Sequence, residues 1–356
     1  MSRPNAGLLA LALASAGCGP AVSAKPVALD GARPAAALAL LTALAHDSME
    51  GRKTGEPGAT RAAHLIAGEM RRIGLTPAGD SGFLQRVPLI RATRVVNGRE
   101  VSTPGLVASL AARDSLHPAR RLPGFNLIGV IQGTDSALAT EHVLVGAHYD
   151  HVGIRPNETG DSIFNGADDD ATGVVAVLAI AEQLLAGPGP RRTVVFAAWT
   201  GEESGLLGSR WYADHPALPL THMAANLEIE MIGRPDSLAG GSGRAWLTGF
   251  ERSTLGEWLV ANRIPIGPDR RPTQNFFQRS DNYQFALRGI VAHTISSYNM
   301  HADYHRPTDE VSKVDPVHLS LVIDAAARAV RALADGPRPT WKPGGRPSPA
   351  PPRSPP

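Results

Sequence analysis

Cysteine is almost absent from this 356-residue chain, in which Cys18 is the only one. A single cysteine excludes an internal disulfide and a cysteine-ligated zinc site, so any metal must be held by His, Asp or Glu. Aromatic residues are also scarce, at 5%, but the hydrophobic fraction of 43% is large enough for a full core. The composition therefore excludes a disordered protein and predicts a core built mainly from Ala, Val and Leu.

A large excess of either charge is missing as well, because 35 basic and 33 acidic residues leave a formal charge of +2. Even this excess comes from the ends of the chain. Residues 336–356 hold four basic residues and no acid, and residues 1–24 hold one, so the remainder has 30 basic against 33 acidic residues. Proteins dedicated to nucleic-acid binding normally gather a basic excess on one face. We therefore expect no nucleic-acid partner.

Long apolar runs are missing too, since none after the N-terminus reaches the roughly 18 residues that a transmembrane helix needs. The N-terminus has one positive charge, an apolar run over residues 6–16 and small residues after it, which predicts a signal peptide over residues 1–24. Cys18 lies where a bacterial lipoprotein signal places its lipid-bearing cysteine, although Ser15 departs from the commoner Leu. We expect an exported protein, either a cell-envelope lipoprotein anchored at Cys18 or a freely secreted protein cleaved after Ala24.

Proline sets the other boundary, because nine of the 21 residues in 336–356 are proline. Such a segment cannot form a helix or a central strand, and it is predicted to be extended, disordered and solvated. The chain between the two ends shows no internal repeat. We therefore expect one domain over residues 25–335.

Within that domain, apolar runs alternate with helical periodicity, a pattern typical of an α/β fold. The helix candidates are 35–45, 58–73, Thr172–Ala186 and Pro316–Ala334. The main strand candidates are Asn126–Gln132, His142–Ala147, Thr193–Trp199, Ala225–Glu230 and Ile290–Ile295. These elements predict a mixed, mostly parallel central sheet flanked by helices.

Polar residues cluster at the carboxyl ends of these strands, the edge at which open α/β sheets bind ligands. The clusters are His148–His151, Gly166–Asp170, Thr200–Glu203, Glu230–Gly233 and Tyr304–Asp309. Convergence of Asp169, Glu202, Glu203 and Glu230 would place four negative charges in one cleft, which requires cations or large pKa shifts. Two divalent ions would balance them. Imidazole together with carboxylate ligands suits zinc, and two such ions activate water and polarise a carbonyl.

Five segments, in this order, resemble the secreted dizinc aminopeptidases. They are GAHYDH (146–151), NGADDDATG (165–173), WTGEESGLLGS (199–209), EMIGR (230–234) and DYHRPTD (303–309). The family includes bacterial leucyl-type aminopeptidases and, more distantly, glutamate carboxypeptidase and glutaminyl cyclase. The resemblance covers residues 35–334 and implies the zinc-exopeptidase fold, a mixed, mostly parallel sheet between helices. It also implies two Zn²⁺ per chain and a peptide substrate with a free N-terminus.

The resemblance assigns the metal ligands by position in these motifs. They are His148, Asp169, Glu203, Glu230 and His305. Asp169 would bridge the two ions and Asp150 would hold the imidazole of His148. At position 230 the commoner residue is Asp, so the longer Glu alters the reach of this ligand, and Glu228 is a rival on the same strand face. The family pattern also implies a cis peptide bond between Asp169 and Asp170.

The same resemblance assigns the catalytic groups. Glu202 would be the general base, which takes a proton from the attacking water and hands it to the leaving amine. Tyr304 resembles a phenol that stabilises the tetrahedral oxyanion, with a packed ring as the alternative interpretation. The segment 279–283 resembles one that lines the substrate side, but Asn282 and Gln284 stand where His and Pro are usual. His301 is expected to support the site or to lie at the surface.

The leading functional prediction is a metallo-aminopeptidase that removes N-terminal residues from peptides. One alternative is a glutaminyl-peptide cyclotransferase, which uses the same scaffold with one zinc ion. The other is a non-catalytic peptide-binding domain. The sequence does not define the preferred N-terminal side chain, because the pocket is shaped by loops.

Overall fold

The computed structural model describes Met1 and residues 32–96, 98–155 and 160–348. The rest of the predicted signal peptide, including Cys18, and residues 349–356 lie outside the described residues. Among the residues that are described, no helix combines the length and the apolar character that crossing a bilayer requires.

Helices and strands both occur throughout the described chain. The α-helices found there are α1 (Ala32–Leu44), α2 (Pro57–Ile73), α3 (Leu110–Asp114), α4 (Thr172–Ala186), α5 (Leu207–Asp214), α6 (Thr254–Ala261), α7 (Asn282–Leu287) and α8 (Pro316–Asp335). The strands found there are β1 (Thr76–Pro77), β2 (Leu84–Arg86), β3 (Leu89–Val96), β4 (Arg99–Leu106), β5 (Phe125–Ile131), β6 (His142–His148), β7 (Gly153–Ile154), β8 (Ile163–Phe164), β9 (Thr193–Trp199), β10 (Met223–Ile229), β11 (Ala245–Leu247), β12 (Ile266–Pro268) and β13 (Ala292–Ser296).

The main sheet has the strand order β1-β5-β9-β6-β10-β13-β11-β12, with β2 also paired to β5. Its four central strands, β9, β6, β10 and β13, run parallel to one another, whereas β5 and β11 join the two sides antiparallel. The prediction of a mixed, mostly parallel sheet is confirmed, and the five strand candidates correspond to β5, β6, β9, β10 and β13.

Burial on both faces explains why the central strands are almost uniformly apolar. Alternate residues of β6 enter different parts of the core: Val143 and Val145 belong to one cluster with residues of α1, α2, α4 and α8, and Leu144 belongs to another with residues of β9, α5 and α7. On this second face, the ring of Trp199 lies 5.2 Å from Tyr212 and 6.1 Å from Phe285. Helices that cover both faces are the usual reason for strands without a polar side.

The helix boundaries follow local sequence signals. Helix α2 begins with Pro57 and ends at Gly74, whose φ of 94° only glycine adopts without cost. Asp315 caps α8 by accepting hydrogen bonds from the backbone N–H groups of Val317 and His318. Helix α4 ends at Gly187, one residue before a proline. All four helix candidates are present, within three residues of their predicted ends.

The predicted disordered tail is ordered in its described part, residues 336–348. The backbone N–H of Thr254 donates to the carbonyl of Thr340, and Trp341 donates from Nε1 to the carbonyl of Gly289, both at 3.0 Å. The ring of Trp341 also packs edge-on against Phe277. A proline-rich segment cannot form a helix, but it can lie extended against a folded domain when one aromatic side chain anchors it. The prediction of disorder is therefore wrong for these residues.

The order of the strands also determines where a ligand can bind. The chain passes from β6 to β9 on one side and then crosses to β10 on the other side of β6. Ligand sites of open α/β sheets lie at such a switch point, beyond the carboxyl ends of the strands. The site should therefore lie next to His148, the last residue of β6.

Candidate metal centre

The five predicted ligands converge at this edge of the sheet, and their ligand atoms form two groups that share Asp169. The first group is His148, Asp169 and Glu230, and the second is Asp169, Glu203, His305 and His151. Within each group the ligand atoms lie within 4.8 Å of one another. Each group offers donor atoms for one cation, and the two groups have the carboxylate of Asp169 in common.

In the first group, His148 is buried and its Nε2 lies 3.2 Å from Oδ1 of Asp169. Its other ring nitrogen lies 3.0 Å from the backbone oxygen of Asp150, whereas Oδ1 of Asp150 is 3.9 Å away. The carboxylate of Asp150 instead accepts hydrogen bonds from the hydroxyl of Thr54 and the backbone N–H of Glu202. Asp150 thus orients His148 through its main chain, and its side chain fixes the start of the loop that carries Glu202.

In the second group, Nε2 of His305 lies 2.9 Å from Oε1 of Glu203 and 3.1 Å from Oδ2 of Asp169. His151 was not among the predicted ligands, yet its Nδ1 lies 3.0 Å from the same oxygen of Glu203. Its sequence position offered one signal, because it lies three residues after His148 in the same motif. A histidine after a strand is commonly an ordinary core or surface residue, so that signal is weak.

The three consecutive aspartates have three different roles. Only Asp169 has its carboxylate in both groups. Asp168 accepts hydrogen bonds from the backbone N–H of Gly233 and from His301, and Asp170 accepts them from the backbone N–H groups of Gly173 and Met231. Asp168 and Asp170 therefore tie the aspartate loop to the end of β10, and the expected cis peptide bond between Asp169 and Asp170 is present. His301 supports the site through Asp168 and is in neither ligand group.

Asp309, the last residue of the DYHRPTD segment, holds the backbone of the bridging aspartate. Its buried carboxylate accepts hydrogen bonds from the N–H groups of Asp168 and Asp169 at 3.0–3.2 Å. Arg234, from the EMIGR segment, in turn binds Asp309 and Asp303. Two of the five motifs thus meet behind the site, which explains why these charged residues lie next to the ligands in sequence.

The unsatisfied atoms of the cluster test whether metal ions fit. The two groups place three imidazole nitrogens and two carboxylate oxygens face to face, and none of them forms a well-shaped hydrogen bond with any described residue. They are His148 Nε2, His151 Nδ1, His305 Nε2, Asp169 Oδ2 and Glu203 Oε1. Buried polar atoms normally have partners, so their convergence indicates a missing common partner. Nitrogen and oxygen donors of this kind suit zinc, and the residues fit the group.

The charge state of the ligand carboxylates also suits a bound cation. Burial would raise the pKa of Asp169, but the imidazoles of His148 and His305 hold it well below its usual range. Burial and Asp169 would likewise raise the pKa of Glu203, but His151 and His305 lower it to about 2. Both groups are therefore carboxylates at neutral pH, the form that binds a cation.

Glu202 lies beside the ligands and behaves differently. Burial, and after it the carboxylates of Glu230 and Glu203, raise the pKa of Glu202 well above its usual range. Glu202 and Tyr304 line a cleft together with Trp246, Phe276 and Tyr298. The Tyr304 ring stacks on that of His305, with 3.9 Å between the centroids. A proton acceptor and a phenol thus face the same cleft as the ligand groups.

Two further predictions concern neighbouring residues. Glu228, the rival ligand, belongs to neither group, since its carboxylate accepts hydrogen bonds from Trp199 and Asn226 within the sheet. Burial, and after it Asp281, raise the pKa of Glu228 to about 8. Asn282, which departs from the family pattern, is buried behind the cleft and does not line it, whereas Arg279 does line it.

Residues 126–330 of this chain match peptidase family M28. A vacuolar membrane protease of Aspergillus clavatus is 32% identical over 196 residues, which are 54% of this chain and 19% of that protein. A probable zinc metalloprotease of Pyrenophora tritici-repentis is 28% identical over 190 residues, or 51% of this chain and 42% of that protein. The chain thus spans less than half the length of both relatives.

Solved structures with a similar fold include a zinc aminopeptidase from Bacillus subtilis. It has a TM-score of 0.62 and 16% sequence identity, over 85% of this chain and 95% of that chain. The glutaminyl cyclase of Porphyromonas gingivalis has a TM-score of 0.55 and 16% identity, over 83% and 97% of the two chains. At such identities the likeness establishes a shared fold.

Proposed function

This chain belongs to peptidase family M28, and we propose that it is a zinc aminopeptidase that hydrolyses N-terminal residues from peptides. The observation that carries the proposal is the pair of ligand groups around Asp169, with Glu202 beside them. In this proposal the first zinc would be held by His148, Asp169 and Glu230, and the second by Asp169, Glu203 and His305. With zinc bound, the site gains Lewis acids that polarise the scissile carbonyl and lower the pKa of water.

Glu202 is the general base of the proposed reaction. Its position at the cleft beside both ligand groups puts it within reach of a water that approaches the peptide carbonyl. The raised pKa makes its carboxylate a stronger proton acceptor than an ordinary glutamate. Once protonated, the same oxygen can deliver the proton to the leaving amine, so that Glu202 returns to its starting state.

The lining of the cleft favours an apolar N-terminal residue. It includes Trp246, Phe276, Tyr298 and Met231, which suit an apolar side chain. Together with the likeness in fold to a zinc aminopeptidase, this lining supports aminopeptidase activity in the proposal.

A panel of substrates with and without zinc tests the proposal. Aminoacyl anilides with large apolar side chains should be hydrolysed by the zinc-loaded chain, lose turnover after chelation and regain it when zinc is added back. Peptides with a blocked N-terminus should be inert, and the metal content should be two zinc ions per chain. Hydrolysis of blocked peptides at equal rates, or turnover unaffected by chelation, would overturn the assignment.

The same panel separates the alternatives. The structural likeness to a glutaminyl cyclase makes peptides with N-terminal glutamine an essential member of it. Pyroglutamate formation together with a single bound zinc would favour the cyclotransferase. Tight binding of peptides without turnover, across the whole panel, would favour the non-catalytic binding domain.

Tyr304 is the proposed oxyanion donor. Burial, and after it the carboxylates of Asp169 and Glu203, raise the pKa of Tyr304, so that the phenol stays a hydrogen-bond donor. Replacing Tyr304 with Phe should lower kcat by about 100-fold, the effect of removing one such donor. KM and zinc content should change little, because the ring and its stacking on His305 remain. An unchanged kcat would assign Tyr304 a packing role only.

A further inference from the structure

We propose that His151 is a fourth protein ligand of the second metal ion, so that the two metal sites differ in kind. The proposed function assigned three side chains to each ion. With His151 added, the second ion is enclosed by four protein ligands, whereas the first keeps three and one open position. The inference depends on the proposed dizinc site, but it concerns metal binding and can be tested without measuring turnover.

The position of the His151 ring is the first argument. The side chain is 1% exposed, and both ring nitrogens lack hydrogen-bond partners among the described residues. Its Nδ1 lies 3.0 Å from Oε1 of Glu203 and 3.7 Å from Oδ2 of Asp169. A buried imidazole without partners is costly, and coordination through Nδ1 would offset that cost.

The spacing of the four ligand atoms is the second argument. Zinc bonds of about 2.0–2.2 Å in a tetrahedron imply roughly 3.3–3.6 Å between neighbouring ligand atoms. The atoms of His151, His305, Glu203 and Asp169 are separated by 2.9, 3.0, 3.1 and 3.7 Å along the four measured edges. These edges bracket the tetrahedral value, so a single ion can contact all four atoms with small adjustments.

The surrounding backbone fixes the ring in this position. The N–H of His151 donates to the carbonyl of Arg52 at 3.3 Å, and Lys53 pairs with His151 in an isolated β-bridge. Gly166 packs directly against the ring, because a Cβ there would lie 2.5 Å from Cδ2 of His151. The ring is thus held between two segments, and the conformation at Gly166, with φ of 56°, leaves the room it needs.

A fourth ligand would make the second metal site differ from the first in its affinity and in its access for water or substrate. The imidazole of His151 would supply a fourth ligand without adding negative charge to the cluster, so that it adds affinity without changing the charge balance. Closed sites with four protein ligands are typical of structural zinc, whereas catalytic sites have three and keep one exchangeable position. We therefore expect the second ion to bind tightly and the first ion, near Glu230, to bind more weakly and to carry the open position.

Metal titration of designed variants tests the inference. In His151→Ala the tighter of the two zinc affinities should fall by at least about 100-fold, since even substitutions outside the ligand set cost 10–100-fold. The weaker affinity should change little. Cobalt bound in the tight site should show an altered d–d absorption spectrum, because its coordination has changed.

Two further variants separate a ligand from a packing residue. His151→Asp places a carboxylate oxygen at the reach of Nδ1 and should recover most of the affinity, whereas His151→Phe keeps the bulk and should not. His142→Ala is the matched control: this histidine is equally buried and also unpartnered among the described residues, but it lies at the other end of β6. Both zinc affinities of the His142→Ala variant should equal those of the wild type.

The metal titrations can support or overturn this inference independently of the test of peptide hydrolysis. Recovery with Phe rather than Asp, or unchanged affinity and cobalt spectrum in His151→Ala, would overturn the inference even if peptide hydrolysis is observed. A tight site that depends on residue 151 in a chain that hydrolyses no peptide would instead support the inference and reject the proposed activity. Apo-protein melting curves recorded for each variant identify a loss of affinity that comes from unfolding.

Discussion

Replacing Glu202 with Gln should lower kcat by about 10²–10⁴-fold while both zinc ions stay bound. The amide keeps the size of the side chain but cannot accept the proton of the attacking water. The fold around it should persist, because the hydrogen bond that fixes this residue runs from its backbone N–H to the carboxylate of Asp150. Glu202 lines the cleft but belongs to neither ligand group, so its carboxylate is free to act on the attacking water.

The neighbouring residue provides the sharpest comparison for this test. Glu203 is assigned to the metal, so Glu203→Gln should lose zinc affinity, and its activity should recover partly at high zinc concentration. Glu202→Gln should keep its zinc and recover nothing. Glu251→Gln, a change at a side chain that is 76% exposed, serves as the inert control. Steady-state kinetics together with metal analysis distinguish the three, and near-normal kcat in Glu202→Gln would reject its role as base.

The sequence predicted the central strands and the ligand groups because each apolar run is followed directly by polar residues. Apolar runs marked β6, β9 and β10, and polar residues at their ends had to meet at one edge of a parallel sheet. The motifs then selected Asp169 among three aspartates, which composition alone could not do. In the structure, the choice is made by backbone N–H groups of the distant segment after β10, which bind Asp168 and Asp170.

The roles of His151, Asp150 and Trp341 depend on contacts that a local sequence pattern does not reveal. His151 points into the site because Gly166 packs against its ring and the carbonyl of Arg52 binds its backbone N–H. Both residues are distant from His151 in the sequence. Asp150 contacts His148 through its carbonyl, and a sequence does not distinguish a main-chain contact from a side-chain contact. The tail was predicted to be disordered because its composition excludes regular structure, but composition does not reveal a docking position for Trp341.

The structural role of Arg52 was not predicted from the sequence, because an arginine usually lies at the surface. Its side chain is 0% exposed and donates four hydrogen bonds to backbone carbonyls, those of Leu44, Tyr149, Asn165 and Gly166. One acceptor follows β6 and two precede the aspartate loop, so that one guanidinium joins the segments carrying His148 and Asp169. We infer that Arg52 maintains the spacing of the two ligand groups.

Replacing Arg52 with Met should therefore lower the free energy of unfolding by about 4 kcal/mol or more, because four buried carbonyls lose their partner at about 1–3 kcal/mol each. Since a domain of this kind is stable by only about 5–15 kcal/mol, this loss would remove a large share of its total stability. Arg52→Lys should show an intermediate loss, because one ammonium group cannot reach four carbonyls spread around a planar guanidinium.

Urea unfolding of the zinc-free protein measures this effect without a contribution from metal binding. Arg72→Met is the control, since the Arg72 side chain is 54% exposed and pairs with Glu69 at the surface, where such pairs contribute about 0–1 kcal/mol. The variants that remain folded should also bind zinc more weakly, because the aspartate loop loses its connection to the end of β6. An Arg52→Met protein as stable as the Arg72→Met control would show that other contacts, and not this guanidinium, hold the two halves of the site together.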